Sequence, residues 1–144
     1  MTKLGAWTFD VFKQYQSRFN KETSNMSQAI LLCYICCASE IARIKGKAKW
    51  FAREIDDMSD DLDLSSNAVC RELGVLRGAM LIERKRGSVG VKQRLMFRAD
   101  DNAIKRFEFV GEAVSKSKDL DGFTKELVPI DALLTEVKDC FGVR

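Results

Sequence analysis

Residues 58–84, MSDDLDLSSNAVCRELGVLRGAMLIER, constrain this chain more than any other stretch. Leu62 and Leu64 bracket Asp63, and Ser65 and Ser66 follow at once, with hydroxyls able to accept from the unpaired N–H groups of a first helical turn. A new helix is therefore expected there. Along it Val69, Leu73 and Leu76 recur at i, i+4 and i+7 and define an inward face, which leaves Asn67, Cys70, Arg71, Gly74 and Arg77 on other faces. Met80, Leu81 and Ile82 then lead into Glu83-Arg84-Lys85-Arg86, the glycine-bearing 87–90 segment, and the run VKQRLMFR at 91–98. Two β-prone runs around a Gly-containing turn form a hairpin pattern. The order predicted is helix, turn, helix and hairpin, a helix-turn-helix running into a β-wing.

The residue types on that frame point to duplex DNA. Asn67 and Arg71 lie one turn apart, and asparagine and arginine pair bidentately with adenine and guanine in the major groove. From Arg84 to Arg98 there are six cations (Arg84, Lys85, Arg86, Lys92, Arg94, Arg98) and no acid, so the hairpin would be drawn to phosphates. The candidate DNA-contacting residues are Ser65, Ser66, Asn67, Cys70 and Arg71 on the helix, and Arg84, Arg86, Lys92 and Arg94 on the hairpin. One feature opposes this. Glu54, Asp56, Asp57, Asp60, Asp61 and Asp63 put six acids in ten residues just before the turn, and these would repel phosphate if they faced it.

Leu64-Ser65, Val69, Arg71, Leu76 and Leu81-Ile82-Glu83-Arg84 fall without a gap in the spacing "LS…V.R…L…GLIER". On these residues the chain resembles the MarR family of bacterial winged-helix regulators. Met58-Ser59 and Leu62 occupy the family's "LA..L" positions. Met80 stands where the family carries glycine, and the acid of the family's wing "DxR" motif is missing, with Arg94 the counterpart of its arginine. The resemblance implies a homodimer joined by N- and C-terminal helices, with two recognition helices about one DNA turn apart on a palindromic site.

Length and composition suit one domain. At 144 residues, 46% apolar and 31% charged, the chain can bury a sizeable core. The fold class expected is mainly α with a small β-hairpin wing (α+β), divided into N-terminal helices (1–45), helix-turn-helix and wing (46–98) and C-terminal helices (99–144). The net charge of +3 says less than its distribution, because five cations between positions 43 and 53 and six in the wing flank the acidic block. No signal peptide is apparent, and the longest apolar run, 29–38, is too short to cross a bilayer, so a cytoplasmic protein is expected.

Outside the middle the periodicity is helical. Thr8 can cap a first helix with Phe9, Phe12, Tyr15 and Phe19 as an aromatic stripe. Asn25 or Ser27 can start a second, apolar all round in its first half and therefore central. Asp100 or Asp101 can cap a third element bearing Ile104, Phe107, Val110 and Val114, and residues 115–121 read as a loop. Pro129 suits the first turn of a last helix with Ile130, Leu133, Leu134, Val137 and Phe141 at helical spacing. The two terminal stripes are expected to pack against a second copy, the rival being that they are the monomer's own core.

Cys33, Cys36 and Cys37 contain a C-x-x-C, which can serve redox or metal chemistry, but among Leu, Tyr and Ile of a central helix thiols act as small apolar groups with raised pKa. Oxidation of Cys70 would block DNA contact. The chain has no histidine, so Ser-His-Asp and Cys-His sites and the common zinc patterns are excluded, and no phosphate-cradling glycine motif occurs. No enzyme, metal or cofactor is expected. The carboxylates around Asp57 and Asp61 read as a solvated face. The leading expectation is thus a DNA-binding transcriptional regulator. Its rival is a winged-helix protein-interaction module, an antirepressor or partner-binding regulator whose acidic helix docks on a basic partner.

Overall fold

A computed structural model describes residues 2–46, 49–89, 92–117 and 120–129. It is mainly helical with a small antiparallel sheet, the α+β class expected. In chain order the elements are α1 (Lys3–Lys21), α2 (Met26–Gly46), β1 (Phe51–Ala52), α3 (Ile55–Leu62), α4 (Ser66–Gly78), β2 (Ile82–Val89), β3 (Lys92–Ala99), α5 (Asp101–Arg106), α6 (Phe109–Ser115), α7 (Leu120–Glu126) and β4 (Val128–Pro129).

α2 is the axis of the molecule. Asn25 caps it, its side chain accepting from the Gln28 N–H at 2.8 Å, and every residue from 28 to 42 is buried. By length and composition α2 is apolar enough to cross a membrane, but most of it is enclosed by the rest of the chain, as in a soluble core helix. Around it pack α1, α4, α6, α7 and the sheet.

α1 starts earlier than the sequence suggests. Thr2 is its cap, accepting from the Gly5 N–H at 3.0 Å, whereas Thr8 lies inside the helix, fully buried, with its hydroxyl donating to the Leu4 carbonyl at 2.8 Å. Of the aromatic stripe of α1, Phe12 and Phe19 are buried and Phe9 and Tyr15 are half-buried against the core. Phe19 stacks on Phe107 at 4.5 Å and meets Phe109 edge-on at 5.9 Å, Tyr15 lies 4.1 Å from Phe109, and Phe12 and Phe19 are 6.0 Å apart. These contacts bury Phe12 and Phe19 within one chain.

Asp100 caps α5 as expected, accepting from the Asn102 N–H at 2.9 Å, but the third element is two short helices broken at Phe107 and Glu108. Pro129 does not open a helix: with Val128 it forms β4, paired antiparallel to β1 through Phe51↔Pro129 and Ala52↔Val128. β4 is an edge strand, where a residue without an N–H costs least. The stripe Ile130, Leu133, Leu134, Val137 and Phe141, together with Cys140, lies outside the described residues.

The sheet order is β2-β3-β1-β4. β2 and β3 pair through eight residues, from Ile82↔Ala99 to Val89↔Lys92. Gly87, expected in the turn, instead sits within β2 opposite Arg94, and a Cβ there would lie 1.9 Å from Met96 Cε. Glycine lets the Met96 side chain cross the strand at that point. Residues 90 and 91, which join the strands, lie outside the described set.

Candidate nucleic-acid interface

The turn between α3 and α4 is three residues long and made as the sequence suggests. Asp63 takes the left-handed conformation, φ 53°, which asparagine and aspartate tolerate best among residues with side chains. The Leu64 N–H returns to the Ser59 carbonyl at 3.1 Å, and Ser59 Oγ donates to the Leu64 carbonyl. Ser65 caps α4, accepting from the Ala68 N–H at 3.1 Å. Val69, Leu73 and Leu76 are buried, while Asn67, Cys70 and Arg71 are exposed.

α4 ends on Met80. The Met80 N–H bonds the Arg77 carbonyl and the Leu81 N–H bonds the Leu76 carbonyl, both at 3.0 Å, with Met80 left-handed at φ 61°. This is a Schellman closure, whose left-handed position normally favours glycine.

The hairpin carries Arg84, Lys85 and Arg86 in the open. Register places Arg84 and Arg86 on the sheet face of Phe97 and Leu95, and Lys85 on the opposite face with Met96. There Lys85 Nζ stands 4.1 Å from the centre of the Trp50 ring, and the Arg98 guanidinium 5.9 Å from it. Arg98 is committed within the chain, to Glu83 at 2.7 Å and Asp101 at 3.2 Å. Lys92 and Arg94 are on β3, but their side chains lie outside the described set. β1 joins the hairpin through Phe51↔Phe97 and Ala52↔Met96, which fixes β3 to the body of the protein.

Two parts of the charge pattern change on folding. In the basic 43–53 stretch, Arg43 pairs with Glu40 at 2.8 Å, Lys49 with Asp101 at 3.4 Å, and Arg53 is buried; Lys47 and the Lys45 side chain lie outside the described set. In the acidic block, Glu54, Asp56, Asp60 and Asp63 face solvent, but Asp61 is completely buried, which corrects its reading as part of a solvated face. Asp61 accepts from Thr2 Oγ1 at 2.8 Å, Tyr34 Oη at 2.6 Å, Arg53 Nη2 at 2.9 Å and Arg53 Nε at 3.1 Å. A bidentate arginine and two hydroxyls thereby tie α3 to α1, α2 and β1. Burial alone would lower the Arg53 pKa, but its hydrogen bonds to Asp61 outweigh this and hold it above the ordinary value. Burial, and then the Asp61 charge, push the Tyr34 pKa well up, so it remains a donor.

Among the exposed acids, Asp56 contacts α4, accepting from Ser66 Oγ at 2.8 Å. Arg71 does not reach α3. Its Nε donates to Glu72 Oε1 at 3.0 Å, and Glu72 is buried beneath it.

Asp61 and Glu72 are both missed by a reading that sorts acids to the surface, yet both carry a positional signal. Met58, Asp61 and Leu62 stand at i, i+3 and i+4, as do Val69, Glu72 and Leu73, so each acid fills the i+3 place of an inward stripe. Trp50 is likewise missed, and only pairing with β3 brings it to the basic hairpin.

Cys33, Cys36 and Cys37 are buried. Burial, with Cys37 as hydrogen-bond neighbour, raises the Cys33 thiol, and burial and the charge of Cys37 raise Cys36, in line with a packing role. Cys70 is exposed on α4. Among the described residues no group of Cys, Asp or Glu is disposed to hold a metal ion.

No protein-family model, curated protein or solved structure matches the chain.

Proposed function

We propose that the chain is a winged helix-turn-helix DNA-binding regulator, acting as a cytoplasmic homodimer. The observation that carries this reading is the placement of two exposed groups on one frame. α4 follows α3 across a three-residue turn with Asn67 and Arg71 outward, and the hairpin that follows α4 is anchored by β1 and exposes Arg84, Lys85 and Arg86. In this reading α4 enters the major groove, with Ser66, Asn67 and Arg71 toward base edges, and the hairpin holds phosphates or the minor groove. The homodimer rests on the resemblance to MarR-like regulators and not on Phe12 and Phe19 of α1, which are buried within the chain.

A specific observation favours the rival protein-interaction reading. Asp56 stands at the start of α4, bonded to Ser66, and the far end of α4 exposes Val75 and Met80, at 46% and 67%. An acidic and apolar surface fits a protein partner better than phosphate.

Arg71→Ala distinguishes the two. If α4 reads bases, the variant loses about 1–3 kcal/mol on the preferred duplex and much less on random duplexes at the same salt. Equal loss on both, or no loss, favours the protein-interaction reading.

A further inference from the structure

We infer that Glu72 is the positioning residue for base reading by Arg71: it holds the guanidinium by its Nε edge and leaves the Nη1/Nη2 fork as the end offered to a guanine. This rests on the DNA-binding reading. The two residues behave oppositely although they are neighbours in sequence. The Arg71 side chain is 68% exposed and that of Glu72 3% exposed, so the contact between them joins the outer surface of α4 to its packed face. α4 packs on α2, and Asn25 and Gln28 at the start of α2 are polar neighbours of Glu72. Burial works against its ionisation, but the hydrogen bond from Arg71, helped by Asn25 and Gln28, holds its pKa below the ordinary glutamate range.

A long arginine on a helix surface loses substantial rotamer freedom when it binds. A carboxylate on Nε removes part of that freedom beforehand. It also selects among the ways a guanidinium can meet guanine O6 and N7, because Nε is engaged by Glu72 Oε1 and the two Nη groups are left in the fork that bidentate pairing requires. Glu72 Oε2 is buried without a hydrogen-bond partner among the described residues, so the carboxylate does not present a competing acceptor to the groove. An acid so near a DNA-facing arginine would otherwise oppose phosphate; enclosed under α4, it acts on Arg71 and not on the DNA.

The test separates reach from charge. Glu72→Gln keeps the length and a carbonyl acceptor but loses the charge, and Glu72→Asp keeps the charge but withdraws it by one methylene. Each is made alone and with Arg71→Ala, and binding is measured on the duplex that wild type selects from a randomised pool and on the unselected pool, at one salt concentration. The inference predicts that Glu72→Asp lowers the ratio of selected to unselected affinity roughly 10-fold, about the size of a bidentate contact, while Glu72→Gln stays within about 3-fold of wild type. Neither should lower the ratio further in the Arg71→Ala background. The inference is overturned if Glu72→Gln is the more damaging, if both affect the two duplexes equally, or if Glu72→Asp still acts when Arg71 is absent. Should Glu72→Asp fail to fold, Glu72→Ala takes its place, with the same roughly 10-fold loss of the ratio expected while Arg71 is present and none when it is absent; a Glu72→Ala ratio equal to wild type overturns the inference. An Arg71→Ala protein with undiminished discrimination would instead bring down the DNA-reading proposal itself.

Discussion

Asp61→Asn is expected to destabilise the protein by about 3–5 kcal/mol, the cost of leaving one member of a buried ion pair without its partner. Asp61 is fully buried and accepts four hydrogen bonds, two of them from Arg53. Asparagine has nearly the same shape, but it carries no charge and turns a donor toward groups that are themselves donors. Arg53 would then be a buried cation facing an amide. Chemical denaturation of wild type and variant at neutral pH measures the difference. Replacing both partners with apolar residues, Asp61→Leu with Arg53→Met, should cost less than the two single changes added together, because the uncompensated charge disappears with the pair. A loss under about 1 kcal/mol for Asp61→Asn would reduce the network to the worth of a surface pair. The consequence reaches beyond stability, since this carboxylate fastens α3 to α1 and α2, and α3 sets the start of α4.

Phe19→Ala should cost a similar amount, about 3–5 kcal/mol, the range for truncating a buried aromatic to a methyl. Phe19 is fully enclosed between α1 and the α5–α6 segment, against Phe12, Phe107 and Phe109. For a chain of this size that amounts to a drop in melting temperature on the order of 10–20 °C. The decisive feature is its concentration dependence. As a core residue of one chain, Phe19 gives the same difference between variant and wild type at every protein concentration. A difference that grows with concentration would place the stripe at a subunit contact, because mass action then enters the stability.

Much of this architecture is legible in the residue pattern, and the exceptions have physical causes. Helix starts are legible to within two candidates each, and Ser65, Asp100 and Asn25 are the ones that cap, because a short polar side chain before an apolar period has one favourable use. Thr8 misleads because a threonine hydroxyl can also bond back to the carbonyl four residues earlier, which it does here. Pro129 misleads because proline suits a helix start and an edge strand alike, and only long-range pairing with β1 decides. Gly87 is a turn residue by type but a strand residue by its pairing with Arg94. Of the candidate interface, the exposed positions of α4 and the exposed cations of β2 follow from periodicity. What periodicity does not supply is which charges neutralise one another on folding. Arg53 and Asp61 each counted toward a surface patch, and together they form an internal tie.

The most direct measurement of the central claim is selection by the intact wild-type protein from a pool of randomised DNA duplexes, followed by titration of the recovered and unselected duplexes over a range of salt. The account predicts one enriched, two-fold-related sequence, bound roughly 10³-fold or more tighter than the unselected pool, with affinity for both falling steeply as salt rises. Recovery of no common sequence, with binding that is weak and the same on every duplex, would contradict it.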